Sequence, residues 1–356
     1  MRFPLLRMRN LLRVRMALDD RTEGLTPVSV PGRVRKGQLL GWGVVLSVAA
    51  ATCTAQGLSI AVSRTSLSLP VYVADSQKFF DAEQVAVTTR ECVGGNRCIK
   101  LMLDGEVPLA TVSEMPVMLN GLVRSDFAIV ATFVTSKRDI KLIARKSAGI
   151  QTAGDLRGKR VGTVEGTSAH YFLDGFLLFD GIDPKAIQLV SLAPDRITDA
   201  LKEGKIDAAA IWEPFAYRSV RALAGDAIVL PGARIYTQTF NLVASRKFIA
   251  EREPDLVKVL RALARAERFI RERPREAQAV LKEKLQEDQD FVDATWAAFD
   301  YRMSLGEPLV RTLEGEARWA VREGHVHPGS QIPNYANFVV RAPLRKVDPD
   351  AVTLVK

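Results

Sequence analysis

Gly166, Thr167 and Ser168 stand between two differently spaced apolar sets, Val161, Thr163 and Val164 before them and Ala169, Phe172, Leu173, Phe176 and Leu177 after them. The first spacing predicts a short strand and the second a helix, so a strand runs directly into a helix start. There the first backbone N–H groups lack intrahelical partners and the helix dipole adds partial positive charge. Gly166 lets the chain approach a bound group closely, and the Thr167 and Ser168 hydroxyls can cap the helix or touch that group. From this stretch alone two chemistries are open: an ordinary helix cap, or a seat for an anion or the polar end of a small molecule.

A second constellation is Trp212-Glu213-Pro214. An acceptor beside an aromatic wall suits ligand recognition, and a surface Glu next to a core Trp is the plainer alternative. His170 has the chemistry of a general base, yet one turn into a helix it reads more simply as a packing or ligand-contact residue. The chain has no Walker A loop, Gly-x-Ser-x-Gly elbow, His-Glu-x-x-His or Gly-x-Gly-x-x-Gly. No catalytic set or cofactor is therefore expected. The histidines His170, His325 and His327 offer no spacing that completes a zinc site with the cysteines, and no metal is expected.

The elements that would position these residues alternate. Leu58 to Val62 reads as a strand, Ser63 to Ser68 as a hydroxyl-bearing loop containing Arg64 and Ser66, and Pro70 opens a helix through Phe80. The unit recurs as the strand Pro108–Val112, the loop Ser113-Glu114 and a helix from Pro116. A further strand, Phe127 to Phe133, ends at Thr135 and Ser136. Strands at Lys141–Arg145, Ile187–Leu192, Ile206–Ile211, Ala227–Leu230 and Asn241–Ala244 follow, with helices at Asp195–Leu201 and Phe215–Leu223. From Phe248 onward the apolar spacing is helical. Such alternation predicts an α/β fold with mostly parallel sheets, whose ligands bind beyond the carboxyl ends of the strands.

The chain has 356 residues, 47% hydrophobic and 26% charged, which suits two lobes and excludes disorder as a class. Of the net charge of +9, six charges come from residues 1 to 37, with nine basic and three acidic side chains. The near-balanced body argues against nucleic-acid binding. The basic start precedes an apolar run, Leu39 to Ala51, that ends in small residues, the pattern of a secretory signal peptide. An uncleaved anchor is the alternative. Thr52 before Cys53 argues against a lipid attachment site. Cys92 and Cys98 flank Val93-Gly94-Gly95-Asn96-Arg97, read as a turn. A bridge across it is easy in an oxidising compartment and contributes about 2 kcal/mol, with two reduced thiols as the alternative.

The run Asp155 to Gly162, then Glu165 to Ala169, then Ala210-Ile211-Trp212-Glu213-Pro214 resembles the sulfonate, taurine and thiamine-precursor group of substrate-binding proteins of ABC transporters. The resemblance implies a type II periplasmic-binding fold: residues 1–55 a leader with a long basic extension, 58–145 plus 241–345 the first lobe, and 146–240 an inserted second lobe. Crossing strands are expected near Leu142–Lys146 and Phe240–Ala244. The implied protein is a periplasmic monomeric receptor that closes on a small-molecule ligand by hinge motion and delivers it to ABC permease subunits. By position, the ligand would meet Arg64, Ser66, Ser113, Glu114, Thr135, Gly166, Thr167, Ser168, Trp212 and Glu213. Arg64 would grip a sulfonate or carboxylate. Glu114 and Glu213 together would repel a simple anion, which leaves open zwitterions, aromatic or heterocyclic donors and plain sulfonates. The competing class is an enzyme on the same fold, of pyrimidine-precursor synthase or menaquinone-pathway lyase type, but Cys92 and Cys98 do not supply the synthases' cysteine cluster.

Overall fold

The computed structural model describes residues 57–232, 235–327 and 329–354. The expected leader and Cys53 lie outside the described residues.

Two sheets carry the fold. The first begins with β1 (Leu58–Ser63), which passes through α1 (Leu69–Ser76) and α2 (Phe79–Ala82) to β2 (Val87–Cys92). Next come α3 (Gly95–Leu103), β3 (Leu109–Ser113), α4 (Glu114–Gly121) and the long β4 (Phe127–Ser136). β1 pairs in parallel with β2 and β3. The chain then leaves for the second sheet: β5 (Lys141–Arg145), β6 (Arg160–Thr163), α5 (Ser168–Phe179), β7 (Gln188–Ser191), α6 (Ile197–Lys202), β8 (Ala208–Ile211), α7 (Phe215–Leu223) and β9 (Ala227–Leu230). It returns through β10 (Gln238–Ser245), antiparallel between β3 and β4. The helices α8 (Arg246–Glu272), α9 (Pro274–Leu285) and α10 (Gln289–Thr295), the short β11 (Phe299–Asp300), α11 (Glu307–Arg322) and α12 (Ala342–Arg345) complete the first lobe. The sheet orders are β11-β4-β10-β3-β1-β2 and β7-β6-β8-β5-β9.

The strand period of two sorts the second lobe's core. Leu142, Ala144, Ala208 and Ala210 join the cluster with Leu173 and Phe176 of α5, while Ile143, Ala209 and Ile211 join Ile197 and Leu201 of α6. Both faces of this sheet are thereby covered by helices, although it is mixed and not mostly parallel as expected: β6 pairs in parallel with β7 and β8, and β5 runs antiparallel to β8 and β9. The first lobe has one larger cluster, in which α8 buries Leu256, Val259, Leu260 and Leu263, and α11 buries Leu313, Ala317 and Trp319.

Three sequence expectations change. β2 carries no periodic apolar signal, being an edge strand with Thr88 to Glu91 exposed, and the glycines taken for a turn are split. Gly94 has φ 84 and Gly95 already opens α3. The helix expected from Pro70 through Phe80 is broken at Lys78, which has φ 58. The crossings also move. Lys141–Arg145, expected to end the first lobe, pairs with β8 and β9 in the second sheet because Leu142 and Ala144 complete that core. The chain therefore crosses between Ser136 and Lys141, and again between Leu230 and Gln238.

Candidate functional site

A cavity lies between the lobes where strand ends and helix starts meet. Ser63, Thr65, Ser113, Gly94 and Gly95 line it from the first lobe, and Thr167, Ser168 and Trp212 from the second. Asp139 and Gln238, beside the two crossings, complete the lining with Leu67 and Phe240. The N-caps of α3 and α5, Gly94 and Thr167, make no side-chain cap hydrogen bond. Their first N–H groups are donors with partial positive charge at the cavity wall. Gly95 is required by packing, since a Cβ there would sit 2.8 Å from Val112 Cγ2. Gly166 is required by its backbone, with φ 70.

The lobes are closed. Ser168 Oγ donates to Ser113 Oγ at 3.1 Å and to Glu114 Oε1 at 3.2 Å, and Thr65 Oγ1 donates to the Glu213 carbonyl at 3.4 Å. The enclosed space is about 30 Å³ to the centres of water-sized spheres, room for about two waters. A larger molecule enters only as the lobes part or side chains move.

The carboxylates are arranged differently from the expected facing pair. Glu114 is fully buried and takes the Thr239 N–H at 2.7 Å and the Thr239 hydroxyl at 2.8 Å on Oε2. Thr239 is itself tied to Asn241, and Asn241 to Thr132, so a polar chain crosses β10 to the lobe interface. Burial pushes the Glu114 carboxyl up to about 7, against hydrogen bonds that lower it, one of them from Glu316. Glu316, on α11, is held well above the carboxylate range by burial and by Glu114. Glu213 turns away from the cavity: its Oε1 pairs with the Lys141 ammonium and its Oε2 accepts the Tyr217 N–H at 2.8 Å. Neither carboxylate lines the space, and the expected repulsion of an anion is absent from it.

The acid that does line it is Asp139. It is 1% exposed, and neither of its carboxyl oxygens has a hydrogen-bond partner among the described residues. Its place is fixed by Ser136, whose Oγ accepts the backbone N–H groups of Arg138 and Asp139 at 3.1 and 2.9 Å. Burial, then Glu213, holds its pKa well above the ordinary value, against the Lys141 ammonium and the Glu213 backbone, which lower it. The Gln238 Oε1 is likewise buried and unpartnered among the described residues. Sequence reasoning stopped at Thr135 and Ser136. The polar residues just beyond that strand end were the signal for Asp139.

Other expected residues divide. Ser113, Thr167, Ser168 and Trp212 line the cavity. Thr167 Oγ1 donates to the Val164 carbonyl at 2.6 Å, so its hydroxyl is left to the space only as an acceptor. Arg64 points elsewhere, donating to the Leu285 carbonyl at 3.3 Å and Gln286 Oε1 at 3.0 Å beyond α9. Ser66 is buried outside this lining, and Thr135 is paired within the sheet opposite Thr239 and Asp300. Cys92 and Cys98 form a disulfide, Cα atoms 5.7 Å apart, that joins the end of β2 to the first turn of α3. His170 stands away from the cavity, against Trp319 and His325. Burial, then His325, lowers its pKa to about 4.

A family model described as NMT1/THI5 like matches residues 66–277. The taurine-binding periplasmic protein of Escherichia coli K12 is 27% identical over 209 residues, covering 57% of this chain and 63% of that protein. The 4-amino-5-hydroxymethyl-2-methylpyrimidine phosphate synthase of Legionella pneumophila is 31% identical over 145 residues, covering 39% of this chain and 45% of the synthase. The chain thus spans less than two thirds of the length of either relative. Among solved structures, the alkanesulfonate-binding protein SsuA of Xanthomonas axonopodis pv. citri, bound to MOPS, superposes with a TM-score of 0.71 at 20% identity, over 80% of this chain and 98% of that one. At that identity the likeness is one of fold, and the two-lobed α/β fold is the shared one.

Proposed function

The chain belongs to the NMT1/THI5-like family, and from that premise we propose that it is an extracytoplasmic solute receptor, not a catalyst. It takes a small zwitterion, an amino-bearing sulfonate or its carboxylate equivalent, into the interlobe cavity and delivers it to an ABC permease. One observation carries the reading: the buried Asp139 carboxyl lines the cavity with both oxygens unpartnered among the described residues. A desolvated acceptor without a donor is costly, and an ammonium group supplies both the donors and the opposite charge. Gln238 Oε1 adds an acceptor beside it, and the helix starts at Gly95 and Ser168 supply N–H donors for the acidic end. The likeness to a taurine-binding protein supports the same class.

Calorimetry with taurine and its isostere propane-1-sulfonate tests this. Taurine is expected to bind about tenfold tighter or more, the ammonium alone making the difference. Equal affinity, or preference for propane-1-sulfonate, overturns the zwitterion reading. The enzyme reading draws on the likeness to the pyrimidine phosphate synthase, but the two cysteines of the body are joined in the Cys92–Cys98 bridge. Ligand recovered unchanged after prolonged incubation supports the receptor, and turnover supports the enzyme.

A further inference from the structure

The seam between α5 and the end of α11 holds a cluster that the cavity does not use. His170 and Asp174 are one turn apart on α5 of the second lobe, with His170 Nε2 and Asp174 Oδ1 4.0 Å apart. His325, just beyond α11 of the first lobe, brings its ring to 4.7 Å from the His170 ring. One donor atom from each of the three lies within 4.8 Å of the others. Two further observations point inward. His325 Nε2 is buried and has no hydrogen-bond partner among the described residues, and Trp319 Nε1 donates to Asp174 Oδ2 at 2.9 Å. That bond orients the carboxylate and leaves Oδ1 for another partner, the arrangement that supports metal-binding carboxylates.

We propose that His170, Asp174 and His325 form an interlobe binding site for a divalent transition-metal ion, zinc by its donor set. Two imidazoles and a carboxylate with an i, i+4 pair on one helix face match zinc's N/O preference, with water as the fourth ligand. Zinc–nitrogen bonds of 2.0–2.1 Å place tetrahedral donors about 3.3 Å apart, so the three side chains draw inward on binding. Gly166 N–H lies 3.5 Å from His170 Nδ1, a long contact that yields when Nδ1 takes the proton and Nε2 binds the ion. Because the ligands come from both lobes, a bound ion clips this seam shut. None of the three residues lines the solute cavity, and the two sites are linked only through lobe closure.

The test is titration of the metal-stripped full chain with zinc chloride by calorimetry, and with cobalt(II) by visible absorption. One ion per chain, with the intense visible bands of a four-coordinate cobalt site, is expected. His325→Ala should weaken binding by more than about 100-fold, and Trp319→Phe by about 10- to 100-fold through the freed Asp174 carboxylate. His325 lies beyond the end of α11 and is only half-buried, so its variant carries the test even where His170→Ala does not fold. Absence of zinc and cobalt binding by the wild type overturns the proposal, as does binding that His325→Ala leaves unchanged.

Discussion

Ser168 of one lobe donates its hydroxyl to Glu114 of the other at 3.2 Å, and the second oxygen of Glu114 is held by the Thr239 N–H at 2.7 Å. The contact joins the start of α5 to the strand that returns from the inserted lobe. The closed state therefore includes a fully buried carboxyl whose polar partners are the hydroxyls of Ser168 and Thr239, the Thr239 N–H and the carboxyl of Glu316. No cation appears among these partners.

That arrangement fixes a pH dependence. The Glu114 carboxyl rises from an ordinary 4.5 to about 7 in the folded chain, so between those values the folded state holds a proton that the unfolded state has lost. Stability from this group is fully present below about pH 4.5, declines as pH rises towards 7, and stays at its minimum above it. Glu316 is shifted the same way and adds to the same slope. Glu114→Gln keeps the acceptor for Thr239 and has no charge to bury. Chemical denaturation at pH 5 and pH 8 should show the wild type losing stability across the interval and the variant losing less, with the variant the more stable at pH 8. Parallel slopes for the two proteins would contradict this account.

Asp139 gives a prediction on the ligand side. Its carboxyl is held well above 3.8, chiefly by burial, so below that raised value the free site holds a proton. An ammonium ligand favours the ionised form, and binding expels the proton. Taurine affinity should therefore strengthen as pH rises towards the raised pKa, and the apparent binding enthalpy should follow the buffer's ionisation enthalpy. Asp139→Asn should abolish that buffer dependence and weaken taurine binding by about 1.5–3 kcal/mol, the range for a hydrogen bond to a charged group. Propane-1-sulfonate affinity should barely change. A variant that weakens both ligands equally would show Asp139 acting on cavity shape instead.

Gly95 tests the wall opposite α5. A methyl group there would meet Val112 Cγ2 at 2.8 Å, and Val112 is fully buried with a branched side chain that has little room to turn. Gly95→Ala is expected to cost about 1–3 kcal/mol of stability through overpacking, read as a lower denaturation midpoint. Because α3 starts at this residue, its N–H groups shift from the cavity and ligand affinity falls as well. Gly105→Ala, with open space around its Cβ but a positive φ of 80, controls for strain alone and should leave affinity intact.

How far the sequence reached follows from where its signals were strong. Core strands such as Phe127 to Phe133 and Ala208 to Ile211 are continuous apolar runs, legible because both faces of their sheets are covered. The edge strand β2 was invisible, since Thr88, Thr89, Arg90 and Glu91 face solvent and need no pattern. At the helix starts, Ser113, Thr167 and Ser168 were picked out by residue type, and all three line the cavity. Side-chain direction was not legible. Arg64 occupies the expected loop yet reaches α9, and Glu213 sits beside Trp212 yet turns to Lys141, because long side chains take the nearest partner and that partner is far away in sequence. The same holds for His170 and His325, which only the closed fold brings together.

The ion pairs of α7 supply the last prediction. Arg218 of α7 pairs with Glu287 beyond α9 at 2.5 Å, and Arg221 of the same helix pairs with Asp288, so two guanidinium groups of the second lobe grip the first. Glu287 is only 9% exposed, so its pair with Arg218 also bears on folding, whereas Arg221 is 55% and Asp288 50% exposed and solvent screening leaves that pair little weight in folding. Its effect falls on the balance between open and closed lobes, where a small bias is enough to change the rate of ligand escape. Arg221→Ala should leave the unfolding midpoint nearly unchanged and speed ligand release a few-fold, with the association rate barely altered. Trp212 lines the cavity, so stopped-flow tryptophan fluorescence can follow both rates. Raising the salt concentration should speed release from the wild type towards that of the variant, since exposed pairs are screened. Salt-independent release in the wild type, or a variant that releases at the wild-type rate, would assign closure to the other contacts between the lobes, among them those at Thr65, Ser168 and Trp319.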